Sequence, residues 1–142
     1  MESHLSDISR VIQLAVAPVF LLTAIATLIS AMNMRLGRIV DRRRVVMGRE
    51  QGTAISAATQ EELALLERRS RLVYYAILCA VLSALLVCLV VAGAFIGALI
   101  ATDLARTVAA LFVLSMFAMI TALSLFLREI FLAVRTGTHT NR

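Results

Sequence analysis

At 142 residues the chain is the size of a single domain, and its 61% hydrophobic content excludes an ordinary soluble fold and a disordered segment alike. Its net charge of +5 rests on fourteen basic residues, every one of them arginine. The charge is also unevenly placed: residues 11–34, 72–102 and 107–127 contain no Asp, Glu, Lys or Arg, while residues 35–71 hold nine of the arginines.

A bilayer core takes about 20 apolar residues of helix, and each uncharged run is long enough. Only helices and closed barrels satisfy their backbone in lipid, and the short alternating strands of a barrel are missing. The fold expected is therefore an all-α membrane protein. Three transmembrane helices cover about 11–33, 72–101 and 105–127, with a helical hairpin over about 34–71 extending the first two and a tail over 128–142. These parts make one integral membrane domain.

The segment before the first run carries Glu2 and Asp7 against Arg10. A cleaved signal peptide begins with a basic region, so the first run is read as a helix of the mature chain. Pro18 lies in its outer half and frees the carbonyl of Leu14. A hinge and an inert bend are both open. Further along, Thr23, Thr27 and Ser30 share one face at i, i+4, i+7, with Asn33 flanking the inner end, and Leu21, Ile25, Leu28 and Met32 take the opposite face. This stripe suits packing between helices, its hydroxyls bonded to the helix's own carbonyls. It equally suits a pore lining made by several copies of the first helix, with the apolar Val16, Val19 and Phe20 as a dewetting gate.

No strong turn signal interrupts the chain between Asn33 and Gly48, so the first helix should continue to about Met47. Gly48, Gly52 and Thr53–Ser56 read as a loop. Thr59 followed by Glu62 fits a capping box and would start the second helix. Leu63, Leu66, Ser70 and Val73 can then face Leu36, Ile39 or Val40, and Val46, in a hairpin projecting on the order of 20 Å at about 1.5 Å per residue. Arg42, Arg43 and Arg44 are candidates for anionic lipid headgroups, since basic residues beside a charged leaflet gain about 1 kcal/mol each.

The second run is longer than a perpendicular crossing needs, so it tilts or projects. Tyr74 and Tyr75 suit the inner interface. Cys79 and Cys88, nine residues apart, fall on opposite helix faces and read as small buried hydrophobes. Gly93 and Gly97 form a small-x-x-x-small packing surface with Ala94 and Ala98. Thr102–Asp103 is an N-cap for the third run, and Gly137 can close the helix that carries it. His4 and His139 sit in the tails.

Basic residues are retained on the cytoplasmic side. Twelve arginines fall in 35–71 and from 128 onward, against Arg10 and Arg106. The expected location is the bacterial inner (plasma) membrane, with the N-terminus outside, the hairpin and the C-terminus cytoplasmic. Arg35, Arg71 and Glu129 then lie at one depth, where an unpaired carboxylate is costly. Glu129 should pair with Arg71 or Arg35. The absence of lysine is explained as well by a GC-rich genome as by selection.

No nucleophile–base pair, metal-ligand spacing or Gly-rich phosphate loop occurs, so neither an enzyme nor a cofactor is expected. The arginine patch is short and lacks interleaved aromatics, which argues against nucleic acid. The expected partners are the bilayer with its anionic headgroups, and further copies of the chain in a homo-oligomer. The function reading is a homo-oligomeric channel or pore lined by the first helix; the alternative is a non-conducting scaffold or regulator whose hairpin binds anionic lipid or an acidic partner.

Four segments carry a family resemblance: Ile12 to Leu22 around Pro18, Asn33-Met-Arg35-Leu-Gly-Arg38-Ile-Val-Asp41-Arg42, Leu66 to Arg71, and Phe126 to Ile130. Together they resemble the domain-of-unknown-function 2721 family of small bacterial integral membrane proteins, over roughly residues 10–135. The resemblance implies a membrane location and a three-helix plan. It singles out Asn33, Arg35, Arg38, Asp41, Arg42, Arg71 and Glu129 as an interfacial set.

Overall fold

The computed structural model describes residues 2–49, 52 and 54–137. They form three helices: α1 (Glu2–Arg49), α2 (Ala57–Ile100) and α3 (Ala105–Gly137). All three are long and apolar enough to cross a membrane, as in a multi-pass membrane protein. At 1.5 Å per residue, α1 and α2 are about 72 and 66 Å long, roughly twice a bilayer core of about 30 Å. The arginine-rich sequence thus belongs to the same continuous helices as the apolar runs. α1 passes through Pro18 unbroken and ends two residues beyond the expected Met47.

Apart from Leu86, the buried positions follow a repeat of seven. On α1 these are Pro18, Ile25, Met32, Ile39 and Val46; on α2, Leu66, Val73, Ala80 and Val87 alternate with Ala76, Ser83 and Val90; on α3 they are Ser115, Ala122 and Glu129. A 3.5-residue repeat keeps one seam facing its neighbours, as in coiled coils. The seam residues on α1 and α2 are mostly medium-sized aliphatics, while α3 contributes small ones and a single carboxylate.

The helices pack in two units. One combines α1 up to Leu28 with Cys79–Ile120; the other combines Ile29–Leu78 with the chain from Thr121. In the first unit, Gly93 lets α2 approach α3, because a Cβ there would stand 3.3 Å from Val108 Cγ2. Ser83 and Ser115 join the same two helices by hydrogen bonds in the core. An apolar groove of about 200 Å³ runs along Leu14, Pro18, Val90 and Ala94. In the second unit, Ile39 and Val46 of α1 and Leu66 and Val73 of α2 are buried together, with Leu36, Val40, Leu63 and Ser70 half-buried beside them.

The helix ends depart from expectation in three places, the first being Gly48, which lies inside α1 and not in the loop. Ser56, not Thr59, is the N-cap of α2: its Oγ accepts from the Thr59 backbone N–H at 3.3 Å and pairs with the Thr59 hydroxyl at 2.9 Å. Thr59 takes the N3 position that a capping box gives to Glu, because the helix begins one turn earlier than the acidic pair suggests. α2 closes with Ala101 in the left-handed region (φ 52°) and the Thr102 N–H donating to the Gly97 carbonyl at 3.2 Å, the 6→1 bond of a Schellman motif. Asp103 Oδ1 then accepts from the Ala105 N–H at 3.1 Å and starts α3. Gly137 is still helical.

Candidate functional site

The Arg-Leu-x-Arg-Ile-x-Asp-Arg segment is helical throughout, so its spacing determines its face. Arg35, Arg38, Ile39 and Arg42 stand at i, i+3, i+4 and i+7, on one side of α1. On α2, Leu66 and Arg69 share a side by the same rule, and on α3 Glu129 continues the seam of Ser115 and Ala122. Within the second unit these three faces converge around a cavity of about 300 Å³, lined by Arg35, Arg38, Ile39, Arg42, Leu66, Arg69 and Glu129.

Glu129 organises the site. Its side chain is 0% exposed, against 19% for Arg69 and 42% for Arg35. Arg69 donates to Oε1 from Nε (3.2 Å) and Nη2 (2.9 Å), and Arg35 Nη1 donates to Oε2 at 3.2 Å. A lone carboxylate taken out of water would cost several kcal/mol; here both oxygens receive charged donors, which offsets that cost. Arg35 is also fixed by the Phe126 ring, whose centroid lies 5.4 Å from its Cζ, a cation–π distance. Three helices are joined at one carboxylate.

The second partner of Glu129 is thus Arg69 and not Arg71. Two residues along a helix turn the side chain by about 200°, so Arg71 faces outward and donates to Glu67 Oε1 at 2.8 Å. The Glu67 carboxyl is held below its usual range, first by that hydrogen bond and then by the charge of Arg71. Asp41 also stands apart: it is exposed on α1 and makes no ion pair among the described residues. Arg42 lines the cavity while donating from Nε (3.0 Å) and Nη2 (2.9 Å) to Glu62 Oε1 of α2. The Arg42–Glu62 pair, with Arg35 and Arg69 meeting on Glu129, sets α1 and α2 antiparallel here.

Arg38, Arg43 and Arg44 are exposed and make no hydrogen bond or ion pair among the described residues. Of the three, only Arg38 lines the cavity. Among the described residues, four guanidinium groups therefore border a space holding one carboxylate.

The polar stripe of α1 lies elsewhere. Thr23, Thr27, Ser30 and Asn33 are all exposed, on the side away from buried Ile25 and Met32. Thr23 Oγ1 donates to the Val19 carbonyl at 3.2 Å and Thr27 Oγ1 to the Thr23 carbonyl at 3.0 Å, so both hydroxyls are satisfied within their own helix. No described residue of the chain buries the stripe.

Three polar residues with structural roles carry no strong sequence signal. Ser83 and Ser115 sit in uncharged runs where serine is common, and the position of Glu62 fits a helix start. Their seven-residue phase with buried aliphatics was the available signal for the serines. Cys79 is half-buried and Cys88 exposed, and both are free thiols. His139 lies outside the described residues, as does the side chain of His4.

A family model described as "Protein of unknown function (DUF2721)" matches residues 15–138. No curated protein and no solved structure matches.

Proposed function

The chain belongs to the DUF2721 family, and from that premise we propose that it is a non-catalytic protein of the bacterial inner membrane that assembles as a homo-oligomeric pore lined by α1. Its N-terminus lies outside, while the arginine-rich hairpin and C-terminus are cytoplasmic, in keeping with the retention of basic residues on that side. The observation that carries the pore reading is the outward stripe of Thr23, Thr27, Ser30 and Asn33. In the apolar window of α1 only 6% of residues are buried by the chain itself, so lipid or another copy must cover the rest. Copies ringed about an axis would turn the hydroxyls onto a weakly selective aqueous path, and the arginines beyond it would draw in anions.

The test has two parts. Stoichiometry measured in native lipid should show a closed ring of copies, and the reconstituted protein should conduct in planar bilayers. Thr27→Trp should block the current. A monomer in native lipid sinks this reading.

A second reading is favoured by Arg43 and Arg44, which are exposed without hydrogen bond or ion pair among the described residues. In it the protein is a non-conducting scaffold or regulator whose hairpin holds anionic lipid or an acidic partner. Charge reversal over Arg42–Arg44 should then abolish partner recovery after crosslinking, with unchanged recovery counting against it.

A further inference from the structure

The cavity beside Glu129 has an unbalanced charge. Among the described residues Arg35, Arg38, Arg42 and Arg69 line it with Glu129 as the sole carboxylate, while Leu66 and Ile39 supply its apolar wall. Glu129 is already divided between Arg35 and Arg69. Among the described residues Glu62 meets Arg42 alone. Arg38 receives no acceptor from the described residues. A guanidinium carries five N–H donors, so most donors of these four side chains are unused by the described residues.

Arginines gathered around one space repel one another unless negative charge is supplied, and the fork of the guanidinium matches planar or tetrahedral oxyanions. Glu129 and Phe126 hold Arg35, Glu129 holds Arg69, and Glu62 holds Arg42. The site is thus built before a ligand arrives, which lowers the ordering cost of binding. Its volume of about 300 Å³ falls at the small end of ligand pockets and suits a compact anion. A doubly charged group with three outer oxygens would use Arg38 and the free edges of its neighbours together; a singly charged carboxylate would leave positive charge unmatched.

We infer that this cavity is a binding site for a phosphate monoester or inorganic phosphate, held by Arg38, Arg42 and Arg69 with Arg35 behind them. The inference is independent of the pore. It narrows the second reading above by placing the anion in the cavity and not on Arg43 and Arg44. Two sources share this chemistry: the headgroup of a lipid such as phosphatidate, and soluble phosphate. Arg35 and Arg69 stand at or near the ends of the uncharged runs, where a headgroup could reach them.

The full chain in phosphatidylcholine nanodiscs doped with phosphatidate tests it, by native mass spectrometry of the lipid retained and by competition with inorganic phosphate. The wild type should retain phosphatidate over phosphatidylglycerol, whose phosphate is a diester, or should bind inorganic phosphate directly. Loss of retained phosphatidate on adding inorganic phosphate identifies a site open to both; retention without competition identifies the lipid. Arg38→Gln, at an exposed position with no partner among the described residues, should weaken binding about tenfold, the worth of one charge-assisted contact. Arg43→Gln with Arg44→Gln should leave it within about twofold, since neither lines the cavity. Equal binding by Arg38→Gln and wild type overturns the inference, and so does failure to bind either probe. If the Arg43/Arg44 variant alone loses binding, the cavity is excluded while the surface reading stands.

Discussion

Ser83 and Ser115 exchange hydrogen bonds reciprocally: Ser83 Oγ donates to the Ser115 carbonyl at 2.9 Å, and Ser115 Oγ donates to the Ser83 carbonyl at 3.2 Å. Both are fully buried. In an apolar span, van der Waals contact and such polar clasps take over from the hydrophobic effect in joining helices. Ser83→Ala and Ser115→Ala should each lower stability by about 1 kcal/mol. The double variant should lose less than the sum, because the two hydroxyls also share one contact at 3.1 Å. Unfolding in a denaturing-detergent titration, read as a double-mutant cycle, measures this; strict additivity would show that the hydroxyls act separately.

Glu129 should be the most sensitive charged position. Glu129→Gln leaves Arg35 and Arg69 facing each other without a counter-charge, and breaking a buried pair of this kind costs about 3 kcal/mol. Replacing Glu129 and Arg69 together by leucine should recover part of that loss. Arg71→Gln, at an exposed pair one face away, should cause no measurable change. The same titration separates these outcomes, and an Arg71 effect as large as that of Glu129 would contradict the pairing.

Ala101 occupies a left-handed conformation that disfavours any Cβ. Ala101→Gly should therefore raise stability by about 1 kcal/mol. A thermal shift upward in detergent micelles is the expected result, whereas a downward shift would mean that the turn before α3 is held by something other than this backbone geometry.

Gly93 is limited by Val108 at 3.3 Å. Gly93→Ala requires only a small shift of that side chain, but Gly93→Leu overpacks the α2–α3 contact and should cost about 1–3 kcal/mol. Ala92→Leu, next to it but exposed, should be nearly neutral. Equal loss at both positions would indicate that both face protein.

The three spans could be read directly because charge is so costly in lipid that its absence over 24, 31 and 21 residues leaves few alternatives. The continuity of α1 and α2 through the arginines was equally readable, since between Asn33 and Gly48 only the isolated Gly37 weakens the helical pattern, and a helix tolerates it. The partner of Glu129 was harder. Arg69 and Arg71 are chemically alike, and only the phase set by Leu66 and Val73 separates them. The cap at Ser56 is masked in the sequence because Thr59 and Glu62 match the capping-box spacing, whereas the hydroxyl of Thr59 takes the place of that carboxylate beside Ser56. The cavity depends on three helices meeting, which no local pattern encodes; its one local trace is the spacing of Arg35, Arg38 and Arg42.

A bias in codon usage is enough to explain a chain without lysine at most of its surface positions. It is not enough at Arg35 and Arg69. Arg35 keeps its Cζ 5.4 Å from the centroid of the Phe126 ring while its Nη1 reaches Glu129, and Arg69 sends two nitrogens to a single oxygen. An ammonium is a point charge and can do one of these things at a time. In any related sequence whose genome is rich in lysine, these two positions are where arginine should persist while the others drift.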